Sequence, residues 1–186
     1  MFLRNAGVFY FMKELETPRL ILKQYGEQDK TDLINLFTDA SVMKHVGDGV
    51  MTEEQAEEWW RKLVDKFYPQ GLDMWAVFTK ADSKYIGHAG IYPRPTKKED
   101  WEFVYFLCRD VWGKGFATEI AERIVEYGFE DLNLSEVFAT VDNDHPASIR
   151  VLEKAGMNFL RYEYDEDGSF SVYSIIKPEP PASAGG

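Results

Sequence analysis

VWGKGFAT, residues 111–118, sets a glycine on each side of a lysine and then runs at once into a helical pattern. Phe116, Ile120, Ile124 and Tyr127 recur at helical spacing, and the pattern continues to about Phe129. Just upstream, WEFVYFLC (101–108) is a nearly unbroken apolar run, as expected of a central strand covered on both faces. A strand that loops briefly into a helix leaves unpaired backbone N–H groups at the helix start. The helix dipole adds partial positive charge there, worth about 0.3–1 kcal/mol per anion at an exposed site. Glycines let such a backbone close on a phosphate. Three readings compete. A P-loop requires G-x-x-x-x-G-K-[ST], and Lys114 is followed by Gly115, so that pattern fails. A dinucleotide fingerprint accepts Gly113 and Gly115, but Thr118 occupies its third position and no second βαβ half follows. A glycine-rich connection with no ligand remains open on this segment alone.

Outward from that segment the chain alternates strand and helix patterns. TPRLILKQY (17–25) reads as a strand with a proline at its edge, and a helix begins near Asp29 and ends by Gly47 and Gly49. Thr52-Glu53-Glu54-Gln55 is a capping box opening a helix that stops at Pro69. Trp59 and Trp60 are adjacent on it and point about 100° apart, so one packs in the core while the other is free to wall a cleft. MWAVFTKADSKYIGHAGIYP (74–93) reads as two strands about a polar connection at 81–84. EVFATV (136–141) is a further strand, ASIRVLEKAG (147–156) a short helix ended by Gly156, and FLRYEYDEDGSFSVYSIIK a closing hairpin turned at Asp167-Gly168. The order implies an α/β sandwich with a mixed sheet of six to seven strands flanked by helices.

Of 186 residues, 45% are apolar and 15% aromatic, the composition of a globular chain, and no apolar run reaches the roughly 18 residues a membrane span needs. The single Cys108 excludes an internal disulfide, and His45, His88 and His145 lack zinc spacing. Both features suit a cytoplasmic setting. A net charge of −11 argues against nucleic acid. Residues 1–12 lack a small-residue cleavage site and read as an N-terminal extension, 13–177 as the domain, and 178–186 as a flexible tail.

Four segments, in order, resemble the GNAT N-acetyltransferase superfamily, and within it the branch containing ribosomal-protein N-terminal acetyltransferases. They are ETPRLILKQY, IGHAGIYP, EFVYFLCRDVWGKGFATE and VDNDHPASIRVLEKAGM, spread over about residues 14–177. Asp110 stands where the family's acetyl-CoA motif usually has Gln or Arg, and His145 where it usually has Asn. The resemblance implies acetyl-CoA as cosubstrate and direct attack by a primary amine on its thioester. It places Leu107, Cys108 and Arg109 along the pantetheine and acetyl carbonyl. It places Gly113, Lys114, Gly115, Phe116, Ala117 and Thr118 on the diphosphate, with Asn143 as a stand-in for the missing Asn. Dimers are common in the family, so a homodimer is the assembly it suggests.

An attacking amine must be neutral. A lysine-like amine costs about 4.6 kcal/mol to deprotonate at pH 7, a peptide α-amine only about 1.4. Glu102, the one acid in WEFVYFLC, is the candidate base, with a solvated strand-end carboxylate as the alternative. The departing thiolate gains from a proton donor. Many relatives use a tyrosine, where this chain has Leu152, so Ser148 and His145 are the candidates, against plain capping and turn roles. Three activities remain in view: N-acetyl transfer to a protein N-terminus or small-molecule amine, a non-catalytic acyl-CoA sensor, and a dinucleotide oxidoreductase.

Overall fold

In the computed structural model, which describes residues 13–179 except 45, 47, 48, 95, 96 and 167, the first strand pattern begins its ladder at Leu20, and a further short strand precedes Pro18. β1 (Leu15–Glu16) and β2 (Leu20–Lys23) pair antiparallel, Leu15 opposite Leu22. Proline has no amide for a ladder, and the Thr17 hydroxyl closes the turn by accepting the Leu20 amide at 2.9 Å. That extra strand raises the sheet to eight, beyond the six to seven expected. The expected extension 1–12, the end of the tail, Gly47 and Asp167 of the hairpin turn lie outside the described residues.

Three helices follow: α1 (Lys30–Thr38), α2 (Ala40–Met43) and α3 (Glu53–Lys62), the last continued by a π-helical turn, Leu63–Phe67. The capping box forms as read. The Thr52 amide donates to Gln55 Oε1 at 2.8 Å, and the Gln55 amide to Thr52 Oγ1 at 3.2 Å. Next come β3 (Asp73–Thr79), β4 (Tyr85–Pro93) and β5 (Trp101–Leu107), then α4 (Phe116–Glu130), β6 (Glu136–Asp142), α5 (Pro146–Lys154), β7 (Asn158–Tyr164) and β8 (Ser169–Ile176). The sheet order is β1-β2-β3-β4-β5-β6-β8-β7. Helices α1–α3 cover one face, α4 and α5 the other. Trp75, Ile91, Ile120 and Ile124 are fully buried between the sheet and α4. Among the described residues no helix is long and apolar enough to cross a membrane.

Every strand pair is antiparallel except β5–β6, and that parallel pair is in register only at Glu102 opposite Phe138. β6 is held along its whole length by β8, from Glu136 opposite Ile176 to Asp142 opposite Phe170. β5 is held equally by β4, from Pro93–Trp101 to Gly87–Leu107. Each strand follows its own antiparallel partner, so the sheet forks beyond Glu102.

Candidate active site

The fork exposes one edge of β5. In an antiparallel ladder alternate residues turn their amides toward the partner strand. The Arg94 amide bonds the Asp100 carbonyl (2.8 Å) and the Cys108 amide the Ile86 carbonyl (2.9 Å), so even-numbered residues face β4. Leu107 and Arg109 therefore turn their amides into the fork, where no described residue accepts them. Cys108 departs from its expected cofactor contact, because its amide is taken by β4. Burial, and then the charge of Asp110, push its thiol up to about 11, away from the thiolate form. The Leu107 carbonyl is covered by the Trp112 indole N–H at 2.8 Å.

Past a short 3-10 turn, Arg109–Val111, the chain reaches Gly113 and Gly115, at φ +75° and +81°. Both lie in the left-handed region that only glycine enters cheaply. Gly115 is the residue before α4, and no side chain caps the helix. The first amide to find a helical partner is that of Glu119, on the Gly115 carbonyl (3.2 Å), so the amides of Gly113 through Thr118 have no acceptor among the described residues. A strand-to-helix corner with open amides and a dipole behind it is a built anion cradle.

A brace from the other end of the chain, invisible to sequence reading, sets that corner. Arg19 donates from Nε to Glu119 Oε2 (2.7 Å), from its amide to Glu119 Oε1 (2.9 Å), and from Nη1 to the Lys114 carbonyl (2.9 Å). Its guanidinium lies 4.5 Å from the centre of the Phe116 ring, and the Thr17 hydroxyl also donates to Glu119. Burial works against the Glu119 charge, but the bonds from Thr17 and Arg19 prevail and hold its pKa below the ordinary value. Glu119 is a hundred residues from Arg19, so no local pattern could reveal the pair.

Glu102 sits at the apex of the fork, and its oxygens are committed. Oε1 accepts the Thr140 amide (3.1 Å) and the Thr140 hydroxyl, and Oε2 lies 3.4 Å from Arg94 Nε. Arg94 is buried and reaches on to Glu163 with Nη1 and Nη2, at 3.3 and 2.6 Å. Burial opposes its charge, yet Glu163, Glu102 and Asp100 together raise its pKa. The candidate base is thus the anchor of a strap tying β5, β6 and β7 together.

On the α5 face, the Tyr105 hydroxyl donates to Ser148 Oγ at 2.9 Å, across the fork from β5 to α5. Burial raises the Tyr105 pKa, partly offset by that bond. Sequence reading missed Tyr105 because it lies within an apolar run; its place on the same strand face as Phe103 and Leu107 was the available signal. Leu152 is 2% exposed and belongs to the core. His145 precedes α5, half-buried, with its amide on the Asp142 carbonyl (3.0 Å). Asn143 does not stand in for the missing Asn. Its Nδ2 donates to the Ser169 carbonyl (2.8 Å) and hydroxyl (2.9 Å), and its Oδ1 accepts from Ser171 (2.6 Å), so β8 uses the whole amide.

On the opposite face, between α1–α3 and the sheet, lies a cavity of about 560 Å³. Phe37, Trp59, Phe67, Phe106, Met43 and Met51 form much of its wall. Trp59 packs edge-on against Phe37 (4.7 Å between centroids), while Trp60 is buried beside Tyr25. His88 lines the cavity, stacked on Phe106, with Nδ1 bonded to the Tyr25 hydroxyl at 3.0 Å. Burial drives its pKa down to about 3, so the imidazole is neutral. Arg94 and Lys98 contribute the charged part of the lining. The closing hairpin is not among the lining residues.

A forked α/β sheet with an anion cradle at the strand-to-helix corner defines a class, the acyl-CoA-dependent transferases. Residues 19–158 match the family described as "Acetyltransferase (GNAT) domain". The chain belongs to that family, N-acetyltransferases whose acetyl donor is acetyl-CoA. It is 30% identical over 171 residues to "Uncharacterized N-acetyltransferase YoaA" of Bacillus subtilis (strain 168), covering 88% of this chain and 97% of that one. Two solved structures share the fold. Spermidine N-acetyltransferase from Vibrio cholerae, in complex with CoA and spermine, superposes with a TM-score of 0.69 at 19% identity, covering 84% and 95% of the two chains. RimL, a ribosomal L7/L12 alpha-N-protein acetyltransferase in complex with coenzyme A, gives 0.73 at 14% identity, covering 88% and 98%.

Proposed function

We propose that this N-acetyltransferase holds the CoA diphosphate on the amides of Gly113 through Thr118 and the thioester end on the fork-facing amides of Leu107 and Arg109. The observation that carries this assignment is two sets of unpartnered donors, the Leu107 and Arg109 amides on the β5 edge and those of Gly113 through Thr118 at the first turn of α4. Amides aimed at a carbonyl oxygen stabilise the charge it gains as the amine attacks. The acceptor is a primary amine. On the branch resemblance, the α-amine of a peptide or protein comes first and a small-molecule amine second.

The neutral amine forms the C–N bond as the C–S bond breaks. Ser148, hydrogen-bonded to Tyr105, hands a proton to the leaving thiolate and is reset through solvent by the proton the amine nitrogen sheds. The net reaction replaces the acyl group on sulfur with a proton. Glu102 acts as a positioning residue that fixes the fork through Thr140 and Arg94. Thiol release from acetyl-CoA over a panel of peptides and small amines tests the reading. Turnover on at least one primary amine is expected. CoA binding with no turnover on any amine would mark an acyl-CoA sensor instead.

A further inference from the structure

We infer that the acceptor amine is carried on a large apolar body of aromatic size, and that polyamines are excluded. The inference rests on the acetyl-transfer reading for what happens to the amine, but its evidence is the cavity itself. At about 560 Å³ the cavity falls within the range of small-molecule sites, roughly 300–1,000 Å³. Five aromatic rings and three methionine side chains make up half of its lining. Methionine and aromatic surfaces fit an apolar guest; a ring face attracts an ammonium by cation–π contact, but by less than the hydration that each further charge of a polyamine would lose.

The polar lining points the same way. No carboxylate lines the cavity among the described residues. Glu102 and Glu163, which a polycation would need, are turned onto Arg94. Lys98, exposed at the cavity, forms no ion pair with a described residue. His88 is nine-tenths buried or more, and its Nε2 has no hydrogen-bond partner among the described residues. A neutral imidazole there serves a neutral amine or amide and gives a second ammonium no counter-charge. A polyamine entering this wall would place its remaining charges beside Lys98 and Arg94 and strip them of water. An apolar amine loses only the hydration of its single ammonium. That loss lowers its pKa and delivers the uncharged nucleophile, which makes good the absence of a free carboxylate base. The same body could belong to a free arylalkylamine or to a peptide whose first residue is large and apolar.

The test uses the full chain saturated with acetyl-CoA and four acceptors: phenethylamine, a peptide beginning with Phe, a peptide beginning with Ser, and spermidine. One or both apolar acceptors should exceed spermidine in kcat/KM by about thirtyfold or more, and the two apolar arms identify the source. Trp59→Ala should raise the KM of the preferred apolar acceptor about tenfold while the KM of acetyl-CoA stays put. Lys98→Glu changes only an exposed side chain and keeps the test open if the Trp59 variant does not fold. It should raise spermidine's kcat/KM several-fold relative to phenethylamine's. Binding is read independently of turnover, by quenching of tryptophan fluorescence on adding each amine to the CoA-loaded protein. Saturable quenching by an apolar acceptor but not spermidine, without turnover, would uphold the inference and sink the transfer assignment. Equal or better use of spermidine, or no saturable binding of either apolar acceptor, would overturn the inference.

Discussion

The two sides of β5 do complementary jobs with different materials. On the fork side the site is backbone: the open amides of Leu107, Arg109 and Gly113 through Thr118, shaped by two left-handed glycines. On the cavity side it is side chain, with walls drawn from α1, α2, α3, the π-turn and three strands. A diphosphate carries the same charge in every CoA molecule, so main-chain donors, which no substitution but proline removes, suffice to hold it. An acceptor differs from one enzyme to the next, and only side chains can encode that difference. The fork lies between them, pinned by Glu102.

The largest expected effect falls on that pin. Glu102→Gln weakens a buried ion pair and should lower unfolding stability by about 2–3 kcal/mol in urea melts, since Arg94 keeps Glu163. The acidic limb of kcat/KM against pH should survive and follow the pKa of the acceptor amine. Disappearance of that limb would make Glu102 the base after all. Next, Gly115→Val forces a β-branched residue to φ +81° beside Arg19. CoA affinity by titration calorimetry should fall about thirtyfold, near 2 kcal/mol. An unchanged affinity would break the backbone half of the contrast.

On the side-chain half, His88 ties stability to pH. Its folded pKa of about 3 lies below the ordinary 6.5, so below pH 6.5 the unfolded chain binds a proton that the folded one refuses. Stability should be fully present above pH 6.5 and fall by about 1.4 kcal/mol per pH unit as pH drops toward 3. Urea midpoints between pH 6 and 5, above the carboxylate range, check this, and His88→Phe should flatten the slope. The smallest effect is at the brace. Arg19→Ala should weaken CoA binding about fivefold, roughly 1 kcal/mol, and leave the acceptor KM alone. A shift in both constants would mean that the two halves are coupled through β2.

Much of the fold was legible because it rests on local rules. The capping box at Thr52, the glycine corner at 113–115, the polar turn at 81–84 and the helix end at Gly156 each depend on a few neighbouring residues, and each formed where it was read. The strand count was short by one because Leu15–Glu16 lie before the run read as the first strand and are too few to show a period, so their pairing with β2 appears only in the fold. In the site, residue type was legible and commitment was not. Glu102 and Asn143 have the right chemistry, but Thr140, Arg94, Ser169 and Ser171 had already claimed it. Cys108 shows the same failure at one remove, since only the pairing with β4 decides which way an amide points.

By itself the sequence determined the strand-loop-helix corner and its open amides, because glycine conformation and helix ends are set within a few residues. Tertiary structure alone decided what the cavity between α1–α3 and the sheet is made of and which polar groups remain free. Phe37, Trp59, His88 and Phe106 meet from four separate elements, and Arg19 finds Glu119 across a hundred residues. Side chains so distant in the chain carry no mutual signature until packing brings them within a few ångströms.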